Sequence, residues 1–213
     1  MKRFFSVTSL VLVASLAAMA QDYPKAEVFG GYSFFRADGS SSIRVGGGDN
    51  LNGWNASVCG NLNGWFGLAA DFSGHYDSSS STTELSPPGV PGLPPLPTFS
   101  TKVNSDTNIF TFLVGPRFSY RKNERMTPFA HVLLGASRRH ADSEISSSSF
   151  GRVSFSANDT AFAAAVGGGL DVPLSKDLAL RVVQAEYVLT RSFGNNGNNA
   201  RVSTGIVFRF GNK

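Results

Sequence analysis

Three histidines stand in the chain, in GHYDS (74–78), AHVLL (130–134) and RHADS (139–143). Asp71 lies four residues before His75, which on a strand places both on one face with a further residue between them. That separation breaks a carboxylate–imidazole relay, and no hydroxyl nucleophile is specified beside it. His140 and Ser143 are three apart at the edge of a polar stretch. Cys59 is the single cysteine, so it has no internal disulfide partner and no neighbouring metal ligands. No catalytic, metal or cofactor constellation is expected. What recurs instead is ionisable or amide groups on the small-residue faces of apolar segments: Glu27, Asp71, His75, Arg117, His131, Asp171, Gln184, Glu186 and Arg209. Brought together away from water, opposite charges of this kind must pair.

The segments that carry them alternate with a period of two. They are AEVFGGYSFFRA (26–37), NLNGWNASVCG (50–60), GWFGLAADFSGHYD (64–77), TNIFTFLVGPRFSYR (107–121), TPFAHVLLGASRR (127–139), TAFAAAVGGGLDV (160–172), LALRVVQAEYVLTR (178–191) and ARVSTGIVFRF (200–210). In the fourth, Phe110, Phe112, Val114, Phe118 and Tyr120 oppose Thr111, Gly115, Arg117 and Ser119. In the third, Phe66, Leu68, Ala70, Phe72 and Tyr76 oppose Gly67, Asp71, Ser73 and His75. A soluble barrel would turn its bulky apolar groups inward. A narrow barrel in lipid turns them outward and takes the small and charged groups inside. Arg181 and Glu186 fall on opposite faces of an ideal strand, so the seventh segment needs a bulge or an interfacial arginine.

The connections are sorted. Short ones (61–63, 122–126, 173–177) alternate with polar, mostly longer ones (38–49, 78–106, 140–159, 192–200). Insertion from one side of a membrane produces that order, with short turns on the periplasmic rim and long loops outside. Six of the ten prolines lie between Pro87 and Pro97, which reads as extended polyproline II, either a ligand for an aromatic groove or a spacer. The serines around Ser146–Ser149 are candidates for glycan contact. Trp54 and Trp65, each in an LNGW tetrapeptide, suit opposite membrane interfaces.

The N-terminus has the three parts of a secretory signal: Lys2 and Arg3, an apolar run from Val7 to Ala17, and Ala18-Met19-Ala20 as cleavage site. Residues 1–20 are therefore expected to be removed, leaving 21–213 as one barrel domain. Losing Lys2 and Arg3 takes the formal net charge from +4 to about +2, too weak to suggest nucleic acid.

From AEVFGGYSFFR through GLAADFSG and RVVQAEYVLTRSF to the end, the chain resembles the small outer-membrane β-barrel family. That eight-stranded group includes the transmembrane domain of outer membrane protein A and the opacity-type surface proteins. The resemblance implies an all-β, eight-stranded antiparallel up-and-down transmembrane barrel in a bacterial outer membrane. STGIVFRF is similar to the signal read by the outer-membrane assembly machinery, with Ser203, Gly205, Phe208 and Phe210 at its key positions. Assembly machinery, periplasmic chaperones and outer-membrane lipid are thus the implied partners. A monomer is expected, and no peptidoglycan-binding domain after the barrel. Members that deacylate lipid A place a His and a Ser two apart on the lipid-facing rim, whereas His140 and Ser143 are three apart at a loop edge, so an enzyme is not expected. The expected role is structural and interactive, through four exposed loops that contact surface glycans or proteins above a plugged lumen. A small pore, a soluble lipocalin-like carrier and a lipid-A-modifying enzyme are the alternatives.

Overall fold

Each alternating segment forms one strand: β1 (Ala26–Arg36), β2 (Asn50–Asn61), β3 (Phe66–Leu85), β4 (Phe99–Ser119), β5 (Thr127–Ser147), β6 (Gly151–Pro173), β7 (Leu178–Ser192) and β8 (Asn195–Phe210). The computed structural model describes residues 23–37, 50–85, 99–147, 151–192 and 195–211. The segment read as a signal peptide, the first long connection (38–49) and the proline run Pro87–Pro97 lie outside the described residues.

Every strand pairs antiparallel with its sequence neighbours, and β8 pairs with β1 to close the barrel. Hydrogen-bonded neighbours can be followed once around, from Phe129 through Gly169, Gln184, Ser203, Ser33, Gly53, His75 and Ile109 to Arg139. The path returns to β5 ten residues further along, because 139 − 129 = 10. A stagger of that size tilts eight strands by roughly 40° and leaves a bore that side chains fill.

The faces sort as lipid demands. Phe72, Phe112, Val132, Val166 and Phe208 point outward and are 44%, 45%, 47%, 53% and 51% exposed. Bare aromatic surface of this kind makes a soluble carrier untenable. Near one rim Tyr32, Trp54, Tyr76 and Tyr187 form an outward aromatic belt. In it the Trp54 Nε1–H donates to the Tyr76 hydroxyl at 3.4 Å. Trp65 sits at the opposite rim, stacked on Phe118 with ring centroids 6.0 Å apart. The short turns there are tied by asparagine side chains: Asn63 Oδ1 accepts the amides of Trp65 and Phe66, and Asn123 Oδ1 that of Arg125.

Three expectations need correction. The stretches read as long loops at 78–106 and 140–159 are largely strand, so β3–β6 run to 20, 21, 21 and 23 residues. The connection at 192–200 is likewise mostly strand, since β8 starts at Asn195. Serine-rich polar sequence in water lacks the in–out contrast that marks a strand, although its backbone pairs as well. The lumen is also less polar than its ionisable residues suggest. Phe29, Phe35, Leu51, Ile109, Leu113, Leu133, Val188 and Val207 are buried inside it. Where β8 closes on β1 the two backbones approach closely: a Cβ on Gly205 would stand 2.3 Å from the Gly30 carbonyl oxygen.

Candidate functional site: the lumen network and the projecting sheet

The β6–β7 and β7–β8 pairings shift register at one place, opposite Leu170/Asp171 in the first and between Arg181 and Gln184 in the second, so β7 carries the bulge. It leaves Val182 and Val183 both outward and returns Arg181, Gln184 and Glu186 to the interior. The bulge, rather than an interfacial arginine, thus resolves the parity conflict in this strand.

All nine ionisable or amide residues singled out from the sequence face inward and are buried. Eight of them lie in one connected network. Nearest the short turns, Arg117 bridges Glu27 at 3.2 Å and Asp171 at 3.0 Å. Arg181 forks onto both oxygens of Asp171, at 2.8 and 3.1 Å, and donates to Gln184 Oε1 at 2.6 Å. Gln184 then donates to Glu186 at 3.0 Å. At the next level Arg201 grips Glu186 at 2.7 and 2.8 Å and reaches Asp71 at 2.8 Å and Ser73 at 2.7 Å. His131 completes Glu186 at 2.9 Å, and Asn55 donates to Asp71 at 2.8 Å. Arg209 lies 3.5 Å from Glu27 at the turn end, with Arg121 at 3.3 Å. Phe129 stacks under Arg117 and Arg181, with 3.9 and 4.4 Å to its ring centre, so an aromatic face covers the cations where carboxylates do not.

His75 stands apart from this network. Its Nε2 pairs not with Asp71 but with the Ser33 hydroxyl at 2.8 Å, and Ser203 donates to Ser33 at 2.9 Å. Serine beside imidazole is the geometry of a nucleophile and its base, yet Nδ1 has no acceptor to orient the ring. The pair is also sealed in the wall, with His75 and Ser33 both at 0% exposure. Above it Phe35, Leu51, Ile109, Ala163 and Val188 form an apolar layer.

The largest omissions from the sequence reading are Arg201, Arg121 and Asn55. Arg201 shares the parity of Ser203, Gly205, Val207 and Arg209 on β8, which was signal enough to place it inside. Of the four terminal-strand positions, Ser203 is buried, Gly205 packs against the Gly31 backbone, and Phe208 and Phe210 face outward at 51% and 54% exposure.

Beyond the aromatic belt β3–β6 continue as a four-stranded sheet. Asp77–Leu85 of β3 pairs only with β4, and Gly151–Ala161 of β6 only with β5. Ser78–Leu85 and Gly151–Asn158 therefore each lack a second neighbouring strand among the described residues.

The outer membrane protein beta-barrel domain family matches residues 6–210. The chain belongs to that family. The barrel accordingly resides in the bacterial outer membrane. Among solved structures it is similar to Ail, the attachment invasion locus protein of Yersinia pestis, at 18% identity over 87% of this chain and 99% of that one, with a TM-score of 0.51. The complex of Ail with the heparin analogue sucrose octasulfate aligns at 19% identity, over 87% and 99%, with a TM-score of 0.51. Neisserial surface protein A aligns at 11% identity over 89% and 100%, with a TM-score of 0.47. At these identities the likeness is one of fold. No curated protein matches the sequence.

Proposed function

We propose that this barrel is a surface-interaction protein whose working part is the projecting sheet, carried on a closed, plugged stem. The observation behind this reading is the free edge of β6. Eight residues, Gly151–Asn158, have no second neighbouring strand among the described residues, with no proline or lysine among them. Phe155 and Val153 stand 59% and 48% exposed along it. Natural sheets usually blunt such an edge, because it offers a row of amide and carbonyl groups to another chain. An extended polypeptide on a neighbouring surface can add there as a further strand, with Phe155 and Val153 supplying side-chain selectivity. The attachment role in the name of the similar barrel Ail is in keeping with this reading.

Two features support a stem in place of a passage. The ionic network crosses the bore, and Leu113 and Leu133, at 0% and 1% exposure, fill the space above it. A small pore is the second reading, and it requires these groups to separate. The same proposal takes residues 1–20 as a cleaved export signal and the barrel as a monomer. It assigns Ser203, Gly205, Phe208 and Phe210 to recognition by the assembly machinery after escort by periplasmic chaperones.

Bacteria displaying the full chain should adhere to immobilised surface proteins. Replacing Val153 and Phe155 with proline and aspartate should abolish adhesion while the boiled-versus-unboiled gel shift of the barrel stays intact. Undiminished adhesion by that variant would remove the edge from the proposal. A unitary conductance in planar bilayers would favour the pore.

A further inference from the structure

We propose that Arg138, Thr160 and Arg191 form an outward-facing site for the phosphate of an anionic lipid headgroup in the membrane leaflet at the projecting-sheet rim.

Each strand's outward face stops being apolar at a definite residue. Moving from the band toward the projecting sheet, the first outward polar residues beyond the belt are Arg36 on β1, Asn52 on β2, Ser78 on β3 and Asn108 on β4. They are followed by Arg138 on β5, Thr160 on β6, Arg191 on β7 and Asn198 on β8. Thr204 lies lower on β8, but its hydroxyl donates to the Arg181 carbonyl at 2.9 Å and is satisfied within the wall. Three of these eight positions are arginine, five are neutral and none is a carboxylate. The carboxylates on these outward faces begin further out, at Asp106, Asp142, Glu144 and Glu84. Two of them already have basic side chains as partners: Asp142 is 2.7 Å from His140, and Glu144 is 3.4 Å from Arg152. Arg36, Arg138 and Arg191 are exposed and have no ion-pair partner among the described residues.

Free guanidinium groups at the apolar–polar boundary meet lipid headgroups before they meet bulk water, and an anionic leaflet attracts them. The register makes two of them a pair. Arg138 lies opposite Thr160, and Arg191 lies opposite Phe162 two residues below it on the same strand. The two arginines therefore flank β6, about 12 Å apart at Cα given the spacing of strands and residues. Both arms are long enough to converge on one phosphate above Thr160, with its hydroxyl as a third donor. Planar, multi-donor guanidinium suits phosphate oxygens better than a point charge does. Arg36, on the far side of β7 and β8, extends the same collar. The β2–β4 side offers only Asn52, Ser78 and Asn108, so headgroup capture is one-sided.

The test uses the full-length barrel reconstituted in phosphatidylcholine nanodiscs, doped in parallel with phosphatidic acid or with diacylglycerol. Lipid retained through detergent extraction is quantified by mass spectrometry. Phosphatidic acid should be retained over diacylglycerol by at least tenfold. R138Q/R191Q should lose that preference, at roughly fivefold per arginine, and R138K/R191K should recover part of it. K122Q/R125Q, at the opposite rim, should keep it. Each variant is first checked for an unchanged boiled-versus-unboiled gel shift. Equal retention of phosphatidic acid by R138Q/R191Q would overturn the site, as would equal retention of diacylglycerol. Inorganic phosphate displacing the lipid at matched concentration would reassign the arginines to free phosphate and overturn the lipid proposal.

Discussion

β5 changes character at Arg138. From Thr127 to Ser137 nearly every residue alternates buried and exposed, whereas from Arg139 to Ser147 most are half-buried on either face. Hydrogen bonding does not change there, since β5 stays in register with β6 from Thr127 to Ser147. What changes is the medium. Inside the bilayer an outward polar group loses its hydration and an inward charge must find a partner, so composition is forced to period two. In water both faces tolerate serine and aspartate, and the same backbone is carried by sequence that looks irregular. The stem and the projecting sheet are thus one set of strands under two sets of rules.

The largest effect should come from the stem's interior. Arg201→Leu leaves Asp71 and Glu186 without the guanidinium that holds both, and should cost about 3–5 kcal/mol. The measurement is the temperature at which the folded band is lost on gels. An unchanged temperature would mean that water solvates the lumen, and the contrast between the two regions would fail. Next comes one substitution made in both regions. Phe112→Lys puts a charge on the lipid face and should cost about 2–4 kcal/mol. Phe155→Lys, similarly exposed at 59% against 45%, should move the unfolding temperature little, by about 0.5 kcal/mol or less. Equal losses would show that Phe155 is packed as a core residue. Below the loss at Phe112, Gly205→Ala drives a Cβ to 2.5 Å from the Gly31 Cα where β8 closes on β1, and should cost about 1–3 kcal/mol. Refolding yield in detergent micelles reports it, and a yield equal to that of the parent would show that the closing pair of strands can separate.

These contrasts also explain what could be read from sequence. Strand number, order, the alternating turns and the inward set from Glu27 to Arg209 were legible because the bilayer writes them into composition. The extensions of β3–β6 were not, because Ser78–Ser81 or Ser154–Asn158 carry no burial signal to distinguish them from a solvated loop. The inward Phe29, Leu113 and Leu133 were hidden for a related reason. A run such as VLL in AHVLL is apolar on both faces, and only the register through His131 tells which leucine is inside. Arg201 was legible from parity, while the double involvement of Arg181 with Asp171 and Gln184 depended on a bulge whose position composition does not mark.

The smallest effect probes the projecting sheet on its own terms. His140 is 2.7 Å from Asp142 through Nε2, and its Nδ1 is 2.6 Å from Asn158 across to β6. The two ion-pair side chains are 37% and 49% exposed, so solvent and salt screen the interaction, and pairs of this kind contribute about 0–1 kcal/mol. His140→Ala should therefore leave the unfolding temperature almost unchanged, and any difference should vanish in high salt. Local amide exchange of Ser154–Asn158 is the finer probe, because β5 is the sole described partner of that segment. Faster exchange there with an unaltered stem would mean that the sheet opens as its own unit. Acceleration spreading to Ala163 and Ala165 would mean that the two regions unfold together, and the stem would then depend on a surface pair that ought to be dispensable.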